Sequence, residues 1–180
     1  MNTPIFQNTI EYFFFDLFLY SAIQKILHFS PFTRSVESYR LLPTYLVVPL
    51  SILIILSEIG VAGSFLSIPT QASASFALIL LISFSIAILV NLLRGNKKID
   101  CGCFGHSKEV SSWMILVRNI ILCGILVLLY LLPSALRFPT FWERVFSFWM
   151  GTIFFVIFSG WNQIITNASL PLLKKKMLYD

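Results

Sequence analysis

The residues best suited to chemistry gather in one short polar stretch, "NKKIDCGCFGHSKEV" (96–110), which holds Cys101 and Cys103, two of the three cysteines in the chain. A thiol can act as a small hydrophobe, a disulfide partner, a metal ligand or a redox nucleophile, and its position decides among these. Gly102 separates the two cysteines and Gly105 follows them, so the backbone can take up the φ values of a tight turn. A bond between Cys101 and Cys103 would close a very small ring, and departures from preferred disulfide geometry make such a bond easier to reduce. It would exchange electrons better than it would brace a fold. Arg94, Lys97, Lys98 and Lys108 flank the pair, and Lys25 and Arg118 are expected to enter from span ends on the same side. Cations near a thiol favour the nucleophilic thiolate, with Asp100 opposing them locally.

His106, three residues after Cys103, supplies an alternative. Cys101, Cys103 and His106 combine soft sulfur with imidazole and could hold Zn or Cu(I), although structural zinc takes four ligands and His28 is the only other histidine. In the redox reading His106 would instead shuttle protons for thiol exchange. Cys123 lies inside the apolar run "IILCGILVLL" and reads as a packing thiol.

The elements that must carry this stretch follow from composition. The chain is 57% hydrophobic and 12% charged, against about 25% charged residues in soluble domains. Its mean hydropathy is +0.84. Apolar runs near or above the ~20 residues needed to cross a bilayer recur without period-2 alternation, so they read as transmembrane helices. Five candidate spans cover about 10–29, 42–66, 72–93, 112–132 and 142–164. Asp16, Gln24 and Lys25 interrupt the first, yet "YFFFDLFLYSAI" is too apolar to leave in water. No basic N-terminal region or small-residue cleavage site marks a removable signal peptide. The expected fold is an all-α polytopic transmembrane helix bundle, a four-helix core plus a fifth C-terminal span, forming a single integral membrane domain over 1–180.

The net charge of +5 and pI near 9.3 fit basic loops on the inner side of a membrane, and no nucleic acid partner is expected. One side carries Lys25, Arg34, Arg40, Arg94, Lys97, Lys98, Lys108, Arg118 and Lys174 to Lys176, the other Arg137 and Arg144. This asymmetry puts the N-terminus outside and the cysteine segment toward the cytoplasm. Trp142 and Trp161 suit the two interfacial ends of the last span.

Charges at bilayer depth cost several kcal/mol, so each needs a partner or a role. Glu58 is the clearest case, expected toward the far end of the second span, with Asp16 near that same side and both distant from the cysteines. Arg118 and Asn119 enter the fourth span on the cysteine side, and Ser21 and Lys25, four apart, share one helical face. Interhelical hydrogen bonding that fixes the bundle is the alternative role for all of these. Glu37, Tyr39 and Arg40 are expected in a loop before "LLP" that could cover the cysteine segment.

Taken in order, "SAIQK", "HFSPFTRSVESYRLLPTYLVVPLSILIILSEIGVAG", "DCGCFG" and "LVRNIILCGILVLL" make the chain resemble the methylamine utilisation protein MauE family, relatives of the DoxX-like four-helix membrane proteins. The likeness covers about 10–132 as a MauE-like four-helix core, leaving 142–164 as an additional transmembrane helix. It implies a multi-pass protein of the bacterial cytoplasmic (inner) membrane that helps mature a disulfide-rich client subunit beside a thioredoxin-like protein. Carried over, Cys101 and Cys103 take the redox role, and Ser21, Lys25, Pro43, Glu58, Arg118 and Asn119 become framework positions. No cofactor is expected, and contact with methylamine itself is not implied. Disulfide maturation belongs to oxidising compartments. Either the charge rule misleads here, or the pair draws electrons from a cytoplasmic donor and passes them across the membrane. A non-catalytic assembly role, with the cysteine segment only a turn, is the third reading.

Overall fold

The computed structural model describes residues 3–39, 43–94, 98–99, 110–131 and 140–176, with side chains for 5–39, 43–94, 113–131 and 140–161. Six helices follow one another: α1 (Thr3–Leu27), α2 (Phe29–Ser38), α3 (Thr44–Ser67), α4 (Thr70–Leu93), α5 (Ser112–Leu131) and α6 (Phe141–Lys176). A two-residue antiparallel ladder, β1 (Lys98–Ile99) with β2 (Val110–Ser111), stands between α4 and α5, pairing Lys98 with Ser111 and Ile99 with Val110.

Four of these helices, α3 to α6, are long and apolar enough to cross a bilayer by length and composition. The expected helical bundle is observed, and its lipid-facing surface is apolar: Leu53, Ile79 and Leu93, for example, are more than half exposed. Helix α1 is more mixed in composition and is not one of these four, but it packs into the same bundle against α3 and α6. Its buried residues Phe14, Phe18, Ala22 and Lys25 recur three to four apart, with Leu17 beside them, tracing one stripe down the helix. On α3 the buried stripe runs through Val47, Ser51, Ile55, Glu58, Ala62 and Phe65. Phe14 stacks on Phe65 at 5.9 Å between ring centroids, and Lys25 meets Glu58, so as one chain ascends the other descends. Leu122, Leu126 and Leu129 of α5 and Ala74, Ala77 and Leu81 of α4 complete the same core.

Helix α6 lies along α1. Ser147 donates to the carbonyl of Ile5 at 3.3 Å, Thr152 donates to Asp16 Oδ2 at 2.9 Å, and the Tyr20 and Phe155 rings pack at 5.4 Å. The numbers rise together, so α1 and α6 run parallel. Contact is close because Gly151 has no side chain: a Cβ there would meet Tyr12 Cβ at 2.8 Å and the Thr9 carbonyl at 2.9 Å. Ser147 and Gly151, one turn apart, form the small-residue seam that lets two membrane helices approach. The start of α6 is fixed by a capping box, with the Thr140 amide donating to Glu143 Oε2 at 2.7 Å and the Glu143 amide donating to Thr140 Oγ1 at 3.4 Å.

Helix α1 begins at Thr3 and α6 runs on to Lys176, both beyond the apolar spans read from the sequence, and the candidate span within α6 is Phe141–Trp161. One expectation is corrected. The segment expected as a loop before "LLP" forms α2, a short helix that buries Phe32 and Ser35, and contains Glu37 with Tyr39 as its C-terminal cap. Phe32, Ser35, Val36 and Tyr39 recur at helical spacing, a signal hidden by the brevity of the helix. Arg94, capping α4, donates to the Tyr39 carbonyl at 3.0 Å and ties the end of α2 to the end of α4.

Candidate functional site

Lys25 and Glu58 are each 1% exposed and form an ion pair between α1 and α3. Ser21, one turn before Lys25, donates its hydroxyl to Glu58 Oε1 at 3.1 Å and accepts from the Lys25 ammonium at 3.1 Å. The ammonium also lies 5.1 Å from the centroid of the Phe84 ring and 5.4 Å from that of Phe32, so α4 and α2 add cation–π contacts. A lone charge in the hydrocarbon region would be costly; pairing, a shared hydroxyl and two aromatic faces offset that cost.

This pair lines a cavity of about 160 Å³ inside the bundle. Arg118 and Asn119 of α5 reach the same space, and Arg118 Nη2 donates to Asn119 Oδ1 at 3.4 Å. The remaining walls are almost wholly apolar, including Phe18, Phe84, Leu81 and Leu122. Ser21, Lys25, Glu58, Arg118 and Asn119, scattered over three spans in the sequence, therefore converge on one chamber.

Glu58, expected toward the far end of its span and distant from the cysteines, shares the cavity of Arg118 and Asn119 and is paired there with Lys25, while the cysteines themselves lie outside the described residues. Helix α2 intervenes between α1 and α3, so α3 begins beyond the level at which α1 ends. Glu58 stands fourteen residues, or ~21 Å, into α3 and faces the last turn of α1. Asp16 lies apart from this group, bonded to Thr152 of α6. Lys25, expected at a span end, is buried and paired with Glu58. Pro43 caps the start of α3 and His28 precedes α2.

Cys101, Gly102, Cys103, Gly105 and His106, as well as Arg40, Asp100 and Lys108, lie outside the described residues. The stems on either side are described: Ile99 pairs with Val110, and Ser112 begins α5 directly after β2. Arg118 lies six residues further, ~9 Å along that helix. Cys123 is a free thiol, half-buried, that packs against the central core as the sequence leads one to expect. Among the described residues no group of three or more His, Cys, Asp and Glu side chains could hold a metal ion.

Sequence reasoning missed the aromatic walls. Phe32 and Phe84 were unremarkable in a chain with 18 phenylalanines, and nothing in spacing alone brings them to one ammonium. Asn91, 2% exposed, was missed as well. A polar side chain at the end of an apolar span, one turn after the buried Ile88, was the available signal.

Residues 3–132 match the family model for methylamine utilisation protein MauE. The chain is 34% identical over 118 residues to the methylamine utilization protein MauE of Methylorubrum extorquens, covering 64% of this chain and 63% of that protein. It is 32% identical over 111 residues to the Paracoccus denitrificans protein of the same name (61% and 60%), and 32% identical over 138 residues to that of Paracoccus versutus (75% and 74%). The match thus spans less than two thirds of the first two relatives' own length. No solved structure matches the chain significantly.

Proposed function

The chain belongs to the MauE family of methylamine utilisation proteins, a multi-pass membrane protein in contact with the lipid bilayer, and from that premise we propose that it exchanges thiols and disulfides at the membrane. In this reading it works in the bacterial inner membrane beside a thioredoxin-like protein and supports maturation of a disulfide-containing client. The names of its relatives suggest methylamine utilisation as the setting.

The observation that carries the reading is the ladder joining Ile99 to Val110. The paired stems stand between α4 and α5 and flank residues 100–109, which hold both cysteines in the sequence. Pairing of the flanking stems lowers the chain entropy still to be lost when the two thiols meet a visiting protein. One thiolate of the Cys101–Cys103 dithiol attacks a sulfur of the partner's disulfide, breaking that S–S bond and releasing the other partner sulfur as a thiolate that takes up a proton. The second cysteine, deprotonated, then attacks the mixed disulfide. The products are a Cys101–Cys103 disulfide and a partner dithiol, with two electrons and two protons transferred; the reverse sequence reduces the pair. The buried polar group of Lys25, Glu58, Ser21, Arg118 and Asn119 serves to fix α1, α3 and α5 against one another.

Alkylation trapping under controlled redox conditions tests this. Of Cys101→Ser and Cys103→Ser, the variant that keeps the attacking thiol and loses the resolving one should accumulate a mixed disulfide with a thioredoxin-fold protein, and the double variant should lose client maturation. If neither cysteine ever enters a disulfide and the double variant matures its client normally, the reading is wrong. A stoichiometric metal that disappears in the double variant would replace exchange with metal handling by Cys101, Cys103 and His106.

A further inference from the structure

We propose that the cavity among α1, α3, α4 and α5 binds the ring head of a lipid-soluble quinone. The inference deepens the exchange reading by naming a class of membrane-borne molecule, but it concerns binding alone and uses only the chamber's own residues.

Three features select this ligand. The first is size: the chamber measures about 160 Å³. An apolar cavity of roughly 150 Å³ accepts one benzene ring. The second is wall chemistry. Phe18, Phe32, Phe84 and Phe158, from four different helices, line the space together with Tyr39. Aromatic faces hold a flat ring by stacked or edge contacts, which an acyl chain cannot exploit. The third is polarity. At the chamber's wall Lys25, Arg118 and Asn119 carry N–H groups, Ser21 gives its hydroxyl proton to Glu58, the one carboxylate there, and Ser35 and Tyr39 complete the polar lining. Glu58 Oε1 and Ser21 hold the Lys25 ammonium in place, so this donor is oriented before any ligand arrives. A few convergent donors in an apolar chamber select a ligand with acceptor oxygens on an apolar frame, and ring carbonyls meet that demand without bringing a second charge into the hydrocarbon.

The tail has an exit. Between α3 and α4 the cavity wall consists of half-buried Leu50, Ile54, Phe84 and Ala87, beside lipid-facing Leu53 and Ile86, which are 62% and 55% exposed. An isoprenoid chain leaving there enters lipid directly, while the head stays against α1 and α5.

The test uses the full chain in lipid nanodiscs and decylubiquinone as the probe. We expect one saturable site, with oleate failing to displace the quinone at equal concentration. Ala87→Phe, which fills the chamber without touching the ion pair, should weaken binding about tenfold or more, as should Asn119→Leu, which removes a donor. Photolabelling by an azidobenzoquinone, whose azide sits on the ring, should mark chamber-lining peptides of α1 or α5 in the wild-type chain, a readout that needs no variant to fold. The Cys101→Ser/Cys103→Ser protein should bind the quinone as tightly as wild type, which separates this result from the outcome of thiol trapping. Absence of saturable binding, equal displacement by oleate, labelling confined to other helices, or unchanged affinity in Ala87→Phe would each overturn the proposal.

Discussion

Lys25 in the last turn of α1 and Glu58 in the middle of α3 are joined by a buried ion pair across 33 residues of sequence. Ser21 bridges the two, donating to Glu58 and accepting from Lys25. This contact sets the register of α1 against α3 and defines the floor of the cavity.

The first expectation concerns that pair. Glu58→Leu or Lys25→Met alone leaves the other charge buried without its counter-ion and should destabilise the bundle by about 3–5 kcal/mol. The double variant Lys25→Met/Glu58→Leu should recover much of that loss, because it removes both desolvation penalties together. Thermal unfolding in detergent reads both. Equal stability of the single variants and wild type would show that the pair contributes nothing.

The second concerns the seam between α1 and α6. Gly151→Val drives a side chain into Tyr12 and the backbone at Thr9 and Phe13, and should cost about 1–3 kcal/mol through overpacking. Gly160→Ala, on the same helix with nothing within 4 Å of its new Cβ, should be neutral or slightly stabilising. The difference between the two Tm values isolates packing from helix propensity.

A third expectation is sidedness. The parallel run of α1 and α6 and the Arg94–Tyr39 hydrogen bond put the end of α2 and the end of α4 on one side, opposite the start of α6. In a chain otherwise free of cysteine, Glu37→Cys should be labelled by an impermeant maleimide only after the inner face is opened, and Thr140→Cys in intact cells. The reverse pattern would overturn the orientation drawn from the basic residues while keeping the fold.

The fourth separates the cysteines. Cys123 packs within the core, distant in sequence from the paired stems, so Cys123→Ala should leave every mixed disulfide of Cys101 and Cys103 unchanged. Non-reducing mass analysis after alkylation checks this. Loss of trapping in Cys123→Ala would assign that thiol a part in exchange.

Some of the site was legible residue by residue. Ser21 and Lys25 fall on one face because they are one turn apart, and they are hydrogen-bonded. Glu58 stands out as a carboxylate within an apolar span, and a charge there needs a partner. The identity of that partner was not legible. Counting along α3 from its start does not bring Glu58 to Lys25, because no pattern in the spans reveals that α2 offsets α3 from α1.

The sequence by itself determined an all-helical membrane bundle, since long apolar runs have no other way to satisfy their backbone in lipid. It also determined which residues are anomalous there: two neighbouring thiols in a polar break, and charges at depth. Only the tertiary structure decided that Lys25 belongs to Glu58, that Arg118 and Asn119 share their chamber, and that phenylalanines from four helices wall it. The reason is physical: helical periodicity fixes which face a side chain occupies, whereas the rotation and axial offset of one helix against another arise from packing among all of them.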